Sequence, residues 1–323
     1  MGWQNAPALN KLTSAQHGGN KGAQLWGVDF KGTLHTIYQK TPGGEWSNWL
    51  GPDWAGPRYP KQVYELAAVQ LHDSRIVLFV LDMRRDLWCI TQNSPGGDWS
   101  GWDGPGWNGA PRGWFKKLAA TQQGPTGKAQ FWGLADDNKI IGCHQVTKEG
   151  HWFQGWYDWA GTPENSEFIE VTAARQGDGR SALWALDTKL QLWFMSQISS
   201  SEETPPGGWG PWIGPNWLNS PKLRNIAACE GNSGAYLWGI GEDEYRIFHT
   251  VQVDRGSEKW GGWQIGDWMN GPMSYELTAA RQNNGCAQIW AVSLKGVLHS
   301  IAETSPNCYW DMAWNPPRRL PSN

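Results

Sequence analysis

The sequence lacks long apolar runs and any strong imbalance of charge. Its longest uninterrupted apolar run, residues 76–81, is far shorter than the roughly 20 residues of a membrane-spanning helix, and no basic segment followed by an apolar one marks the N-terminus. The net charge is −3, with lysine and arginine spread along the chain, which gives no footprint for nucleic acid or an anionic membrane. We therefore expect a soluble protein without membrane insertion or a nucleic-acid partner, either cytoplasmic or released without a classical signal.

Cysteine is scarce, and the few residues present follow no pattern. Their positions in the sequence form neither a metal-ligand spacing nor a repeated bridge. They are Cys89, Cys143, Cys229, Cys286 and Cys308. The sequence therefore predicts free thiols and no metal site, and mass measurement with and without reductant would test the first expectation.

The motifs of common enzymes are also missing. The chain has no Gly-x-Ser-x-Gly, no His-Glu-x-x-His and no glycine loop of the phosphate-binding kind. Most of its histidines occupy different positions in the repeat described below. His35 and His299 share one position, but aromatic or aliphatic residues hold it in the other copies. We therefore predict a protein without catalytic activity and without a cofactor.

Tryptophan, in contrast, is abundant: 26 residues, beside 41 glycines and 20 prolines. The stretch 46–57, Trp-Ser-Asn-Trp-Leu-Gly-Pro-Asp-Trp-Ala-Gly-Pro, recurs in degenerate form along the chain. Its tryptophan triplets are Trp46, Trp49 and Trp54; Trp99, Trp102 and Trp107; Trp152, Trp156 and Trp159; Trp209, Trp212 and Trp217; and Trp260, Trp263 and Trp268. Glycine and proline at this level are typical of a fold with many short strands and turns.

The sixth copy is split between the two ends of the chain. Trp310 and Trp314 begin it near the C-terminus, and Trp3 completes it, because residues 2–7 match residues 106–111 almost letter for letter. A repeat completed by both termini is typical of a closed ring. Deleting the N-terminal segment should then destabilise the whole ring, and an unchanged melting temperature would contradict this role of Trp3.

Each repeat, about 53 residues long, is consistent with four short strands. The first has small residues in its middle, such as Ala67-Ala68, and should be innermost; the second carries a fixed aromatic, such as Trp26. The third ends in glutamine or glutamate, which should tie blade to blade through backbone hydrogen bonds, and the Trp-x-x-Trp element is the fourth. The pattern predicts one all-β domain, a six-bladed β-propeller of four-stranded antiparallel blades. The repeats span residues 9–60, 61–113, 114–165, 166–222, 223–274, and 275–323 completed by 1–8.

The loop after the fourth strand places an indole beside a polar group. In four copies an Asp or Asn precedes the third tryptophan. A flat apolar face next to directional acceptors suits a sugar ring, and small-ligand sites generally combine aromatic walls with a few polar groups. The candidate sugar-binding residues are Trp3, Asp53, Trp54, Trp107, Asp158, Trp159, Asn216, Trp217, Asp267 and Trp268.

A structural role is the alternative for these tryptophans. In repeat folds an aromatic at a fixed position often packs as a wedge between neighbouring units, and we assign the first two of each triplet to that role. The third fits either role, because a loop rich in glycine and proline is an exposed place for a large apolar side chain.

The repeat is similar to that of a known lectin family. Residues 32–39, Gly-Thr-Leu-His-Thr-Ile-Tyr-Gln, and 42–49, Pro-Gly-Gly-Glu-Trp-Ser-Asn-Trp, resemble the repeat of the PLL-like β-propeller lectins, bacterial proteins that bind fucose and O-methylated sugars. They are more distantly similar to tectonins. The resemblance covers all six units and implies sugar sites between adjacent blades, several per ring. The best-known members have seven blades, whereas this chain has six repeats.

Together these observations predict a multivalent lectin that binds fucose or related sugars, including O-methylated ones, through tryptophan-lined sites repeated around the ring. Its partners would be glycans on cell surfaces or glycoconjugates, and the lectin itself could form homo-oligomers. Two alternatives stay open. One is a propeller scaffold for protein interactions, which would show a broad charged or apolar rim. The other is a glycan-processing enzyme, for which Glu202-Glu203 in the fourth repeat is the nearest approach to a titratable cluster.

Overall fold

Six antiparallel sheets form the protein in a computed structural model. The structure describes residues 6–19, 22–56, 59–147, 150–158, 161–201, 208–232, 234–255, 258–264, 271–282, 284–305, 309–311 and 314. The first strand of each blade is β1 Leu9–Gln16, β4 Val63–Gln70, β7 Phe115–Gln123, β11 Phe168–Arg175, β14 Leu223–Glu230 and β17 Ser274–Arg281. The second is β2 Ala23–Asp29, β5 Ile76–Asp82, β8 Lys128–Ala135, β12 Ser181–Asp187, β15 Ala235–Gly241 and β18 Ala287–Ser293. The third is β3 Leu34–Tyr38, β6 Leu87–Thr91, β9 Ile140–His144, β13 Leu192–Ser196, β16 Ile247–Val251 and β19 Leu298–Ser305.

The fourth strand is shorter than the sequence predicts. Only the third and sixth blades have one among the described residues, β10 Tyr157–Asp158 and β20 Tyr309–Trp310. In the first blade the segment pairs with β3 only through the isolated bridges Gln39–Trp46 and Thr36–Leu50. Between these bridges the Ser47 hydroxyl, rather than a backbone carbonyl, accepts the Tyr38 N–H at 3.2 Å. A side chain inserted in the ladder interrupts it, so the blades have three to four strands.

The first strands surround the axis and close into a ring. Consecutive first strands lie side by side from β1 to β17, and β17 in turn lies against β1. At this seam the Ser14 and Thr278 hydroxyls are 2.9 Å apart, and the Glu276 carboxylate accepts the Leu12 N–H at 3.3 Å. The alanines of these strands line a narrow axial channel of about 160 Å³, which places the small residues where the sequence predicts them. Trp3 lies outside the described residues, so its part in closure stays a prediction.

A repeated aromatic pair locks each blade to the next. The fixed aromatic of the second strand is fully buried in every blade and meets the first tryptophan of the following blade edge to face. Ring centroids are 5.5 to 5.9 Å apart and planes cross at 81° to 89°. The pairs are Trp26–Trp99, Phe79–Trp152, Trp132–Trp209, Trp184–Trp260, Trp238–Trp310 and Trp290–Trp46. This arrangement confirms the wedge role of the first tryptophan and runs unbroken across the seam.

The glutamines that follow the third strands bond both within and between blades. Their Oε1 atoms accept a backbone N–H at the start of the second strand of the same blade, as Gln39 does from Ala23 at 2.8 Å. Two of them also reach the preceding blade: Gln197 donates to Gln123 at 2.9 Å and Gln252 to Gln176 at 3.0 Å. A backbone group takes part as well, because the Gly177 N–H of the fourth blade donates to Gln252 Oε1 of the fifth at 3.4 Å. The expected tie between blades is therefore present and uses both side-chain and backbone groups.

The cysteines follow the sequence-based prediction wherever the structure describes them. Cys89, Cys143, Cys229 and Cys286 are free and buried, while Cys308 lies outside the described residues. Burial raises the pKa of the Cys89 thiol to about 12, so this group is an inert thiol at neutral pH.

A ring of buried charge surrounds one end of the channel. One residue from each first strand contributes: Lys11, Glu65, Lys117, Glu170, Asn225 and Glu276. The signs alternate until Asn225, where a third cation would complete the pattern. Lys117 pairs with Glu65 at 3.1 Å and Glu170 at 2.7 Å, and Lys11 pairs with Glu276 at 3.2 Å. The ring therefore holds one carboxylate more than it has cations.

Replacing Glu276 with glutamine should change how stability depends on pH. Burial raises the pKa of this carboxyl from 4.5 to about 7, against the opposing attraction of Lys11. Between these two pKa values the folded state holds a proton that the unfolded state has released. Glu276 therefore lowers the free energy of unfolding as pH rises from 4.5 to about 7, and it has no such effect below pH 4.5. Relative to the parent, the free energy of unfolding of E276Q should rise by about 3 kcal/mol between pH 4.5 and pH 8.

Chemical denaturation at several pH values measures this difference. The matched control is Glu45→Gln, which removes an exposed carboxylate paired with Lys40 at 3.6 Å and should leave the pH dependence unchanged. If E276Q and its parent differed by the same amount at pH 4.5 and pH 8, the excess charge would not be centred on Glu276.

Candidate functional site

An open cleft lies between the first and second blades, with a volume of about 780 Å³. Strands β2 and β3 form its floor, and the segments on either side of them form its walls. From the first blade it is lined by His17, Gln24, Thr36, Tyr38, Leu50 and Trp54, and from the second by Gln92, Asp98, Trp99, Ser100 and Trp102. Aromatic walls around a few polar groups are typical of a small-ligand site.

The floor of this cleft is polar. Gln24 on β2 donates from Nε2 to the Thr36 hydroxyl at 2.9 Å, and that hydroxyl donates to the Leu25 carbonyl at 3.0 Å. The other amide atom of Gln24, Oε1, is buried without a hydrogen-bond partner among the described residues. A buried acceptor without a partner is costly, and a ligand hydroxyl entering the cleft would satisfy it.

Tryptophans form the wall beside this floor. Trp54 sits on the 3-10 turn Pro52–Ala55, where Pro52 preorganises the first helical position. Its ring meets Trp99 of the next blade at 5.2 Å and 71°. The buried Nε1 donors of Trp54 and Trp102 have no acceptor within the described part of the chain. The cleft is therefore lined by apolar ring surface and, within the described chain, two unpaired donors and one unpaired acceptor lie buried in its wall and floor. A polyhydroxylated ring that reached these atoms would satisfy all three.

Larger or apolar side chains fill the corresponding positions of other blades. Between the second and third blades, Val77 and Cys89 take the places of Gln24 and Thr36 in the strand register. Between the fourth and fifth blades, Phe194 takes the place of Thr36. It stacks on Trp217 with centroids 4.6 Å apart and planes at 22°. Trp217 is consequently only 8 % exposed and Trp107 only 7 %.

The interface between the third and fourth blades has a polar floor of its own, but it is covered. Gln130 occupies the position of Gln24 and is fully buried, with neither amide atom hydrogen-bonded within the described chain. His144, Phe153 and Tyr157 form a stacked column beside it. Burial, together with the nearby Lys128 charge, lowers the pKa of His144 to about 4, so the ring is neutral at physiological pH.

The predicted site residues divide into four groups. Trp54 lines the open cleft; Trp107 and Trp217 contact the first tryptophan of the next blade as Trp54 does, but with buried rings. Asp53, Asp158 and Asn216 are exposed. Trp3, Trp159, Asp267 and Trp268 lie outside the described residues.

The floor of the cleft was not predicted from the sequence. Glutamine also holds the Gln24 position in the third and sixth blades, as Gln130 and Gln288, whereas the second and fourth blades have Val77 and Ala182 there. The pair Gln24 and Thr36 can be recognised in the sequence only with the correct strand register, since one residue of slip moves a side chain to the other face. The first tryptophan, Trp99, was assigned to packing alone, yet it also lines the cleft.

The described residues contain neither a candidate metal site nor a candidate membrane-spanning helix. Among them, no group of three or more His, Cys, Asp or Glu side chains is arranged to hold a metal ion. In the same part of the chain, no helix has both the length and the apolar character to cross a membrane.

Solved structures resemble this chain in fold. AofleA from Arthrobotrys oligospora superposes with a TM-score of 0.65 at 14% identity, over 98% of this chain and 88% of that one. BP39L lectin from Burkholderia pseudomallei gives 0.61 at 16%, over 93% and 82%. The lectin of Aleuria aurantia, described as a six-bladed β-propeller with a novel fucose recognition mode, gives 0.62 at 15%, over 96% of both chains. No family model matches the sequence, and no curated protein does so either. These likenesses establish the six-bladed propeller architecture.

Proposed function

We propose that the protein is a carbohydrate-binding lectin without enzymatic activity, and that the cleft between the first and second blades is its principal sugar site. The observation that carries the proposal is the Gln24 amide oxygen, buried in an open cleft beside the indole donors of Trp54 and Trp102. A monosaccharide would place hydroxyls on these groups and a ring face or methyl group against the tryptophans.

Fucose or a related sugar is the proposed ligand class. The structurally similar Aleuria aurantia protein is described as a fucose-specific lectin, and the sequence repeat resembles lectins that bind fucose and O-methylated sugars. The deoxy carbon of such a sugar would pack against an apolar wall such as the Trp99 ring. Each site should bind weakly, with a Kd of about micromolar to millimolar. Avidity on a glycan-bearing surface would come from further clefts that are open, unlike the positions of Trp107 and Trp217, whose rings are buried.

Titration with methyl α-L-fucoside, alongside a glycan array, tests this proposal. Gln24→Leu keeps the side-chain size but removes the acceptor, so it should weaken binding by about tenfold. The Trp54→Ala variant, which removes the wall, should weaken it at least as much. Gln288→Leu is the matched control, because this amide has the same position in the sixth blade but already accepts a bond from Gln282 at 2.7 Å.

The results of these titrations distinguish a sugar site in the first cleft from a sugar site elsewhere and from a protein that binds no sugar. Loss of binding in Gln24→Leu with normal binding in Gln288→Leu supports the first cleft. If both variants bound a glycan array like the parent, the sugar platform would lie elsewhere. If the parent bound no glycan at all, the lectin function itself would be rejected.

A further inference from the structure

The turns between the second and third strands carry a pattern that sugar binding does not use. In three blades the first exposed residue of this turn is apolar: Phe30 is 66% exposed, Met83 59% and Leu294 47%. In each case the next residue is basic and exposed, namely Lys31, Arg84 and Lys295. Three separate turns therefore present the same pair, an apolar tip followed by a cation.

The three turns belong to consecutive blades and lie next to one another. The turn of the first blade bonds to the second blade, because its Gly32 carbonyl accepts the Val63 N–H at 2.8 Å. The turn of the second blade bonds to the same segment through Met83 N–H and the Gln62 carbonyl at 2.9 Å. Across the ring seam, Gly296 of the sixth blade lies against Ala8 at the start of the first. The pairs thus form one arc, which we call the apolar-basic arc.

Two further exposed apolar residues extend this arc. Met273 is 53% exposed, and its carbonyl accepts the Leu294 N–H at 2.9 Å; Tyr64 is 39% exposed and follows Val63. In the third to fifth blades, the same two turn positions hold Asp136-Asp137, Thr188-Lys189 and Glu242-Asp243. This face of the ring is therefore divided into an apolar and basic half and a polar, mainly acidic half.

The acidic residues in the turns of the first and second blades bond to the backbone of their own turns. Asp29 accepts the backbone N–H groups of Lys31 and Thr33 at 2.8 and 2.9 Å, and Asp82 does the same for Arg84 at 2.8 Å. These carboxylates are held in the turn, while the side chains of Lys31, Arg84 and Lys295 form no ion pair with any described residue.

We propose that the apolar-basic arc docks on an anionic lipid surface. Apolar side chains at the tips of turns enter the headgroup boundary of a bilayer, and neighbouring cations are attracted to anionic headgroups. Because the tips stand on three separate turns, they contact a planar surface more readily than a compact protein epitope. A second copy of the chain fits less well, since pairing the arc with the acidic half of another copy would set the apolar tips against polar turns.

The opposite face provides a matched comparison. Val146, Ile198 and Val253 are 39%, 69% and 50% exposed, each directly after the glutamine that follows a third strand. The residues that follow them are Thr147, Ser199 and Asp254, none of which is basic. Similar apolar exposure without the cations should give no selective attachment to anionic lipid.

Cosedimentation with sugar-free vesicles tests the proposal. The full chain should bind vesicles containing about 30% phosphatidylserine and not pure phosphatidylcholine. The triple variant Lys31→Gln, Arg84→Gln, Lys295→Gln should bind on the order of a hundredfold more weakly. The triple variant Phe30→Ser, Met83→Ser, Leu294→Ser should also lose binding, whereas Val146→Ser, Ile198→Ser, Val253→Ser should keep it.

Other results would overturn the inference. Equal binding to both vesicle types, or equal loss in both apolar triple variants, would show nonspecific adsorption. Self-association of the parent that the charge variant abolishes in sedimentation velocity would identify a second copy as the occupant. Titration of each variant with methyl α-L-fucoside keeps this test separate from the lectin proposal, because the arc residues do not line the cleft.

Discussion

Trp290→Ala is expected to lower the free energy of unfolding by about 4 kcal/mol. Trp290 is completely buried at the seam between the last and first blades, where it meets Trp46 edge to face at 5.9 Å. Truncation removes its transfer free energy and leaves a cavity that rigid strands on both sides cannot close. Because the pair joins the two ends of the chain, the loss should affect the whole ring rather than one blade.

Urea unfolding of two further variants makes this prediction specific. Trp184→Ala removes the equivalent residue from an interior interface, where Trp260 lies at 5.5 Å, and should cost a similar amount. Phe30→Ala removes a 66% exposed ring and should have little effect on stability. If Trp290→Ala were much milder than Trp184→Ala, the seam would be a weak point and the ring would not close as tightly as it packs elsewhere.

Lys117→Met is expected to destabilise the protein by about 3 kcal/mol at pH 8. Burial alone would lower the pKa of Lys117, but the adjacent carboxylates of Glu170 and Glu65 outweigh it and hold the pKa well above its ordinary value. A lysine whose pKa is higher in the folded state than in the unfolded state stabilises the fold fully at every pH below 10.5. This contribution to the free energy of unfolding is lost as pH rises through the pKa of the folded state. Methionine preserves most of the volume but leaves two enclosed carboxylates without their cation.

The pH dependence of this variant is the decisive measurement. In the parent, against the opposing effect of burial, the Lys117 charge holds the pKa of Glu65 below its ordinary value. The variant lacks this charge, so Glu65 accepts a proton more readily as pH falls, and the difference between the variant and its parent should shrink. Lys139→Met is the matched control: its ion pair with Asp137 has a similar length, 3.1 Å, but both side chains are about half exposed, and its loss should cost under about 1 kcal/mol. A pH-independent penalty for Lys117→Met would mean that packing, not charge, is what Lys117 contributes.

The strand pattern and the first tryptophans were predictable because both depend on local periodicity. Small residues in each first strand indicate the crowded axis, and a large aromatic in each second strand requires a partner from the neighbouring unit. The fourth strand was overestimated for an equally local reason: its tryptophan spacing suggests a strand, but the hydroxyls of Ser47 and Ser100 take the place of backbone acceptors in the ladder.

The apolar-basic arc shows why the net charge of a chain is a poor guide to the local surface charge of a ring-shaped protein. Lys31, Arg84 and Lys295 are distant in sequence, and the composition alone indicates no basic surface. Closure of the ring brings the sixth blade beside the first, so residues from opposite ends of the chain reach the same face. The acidic turn residues of the other half offset them in the net charge.

The sequence by itself determined the number of repeats, the order of strands within each, and the aromatic that separates one blade from the next, because each is set by a period of side-chain size along the chain. Only the tertiary structure decided which loop tryptophan borders an open cleft. Trp54, Trp107 and Trp217 stand in equivalent loops, but the third strand places Thr36 near the first, Cys89 near the second and Phe194 against the third. The exposure of an indole depends on the volume that packing brings opposite it, and that neighbour lies on a strand well before the loop in the sequence.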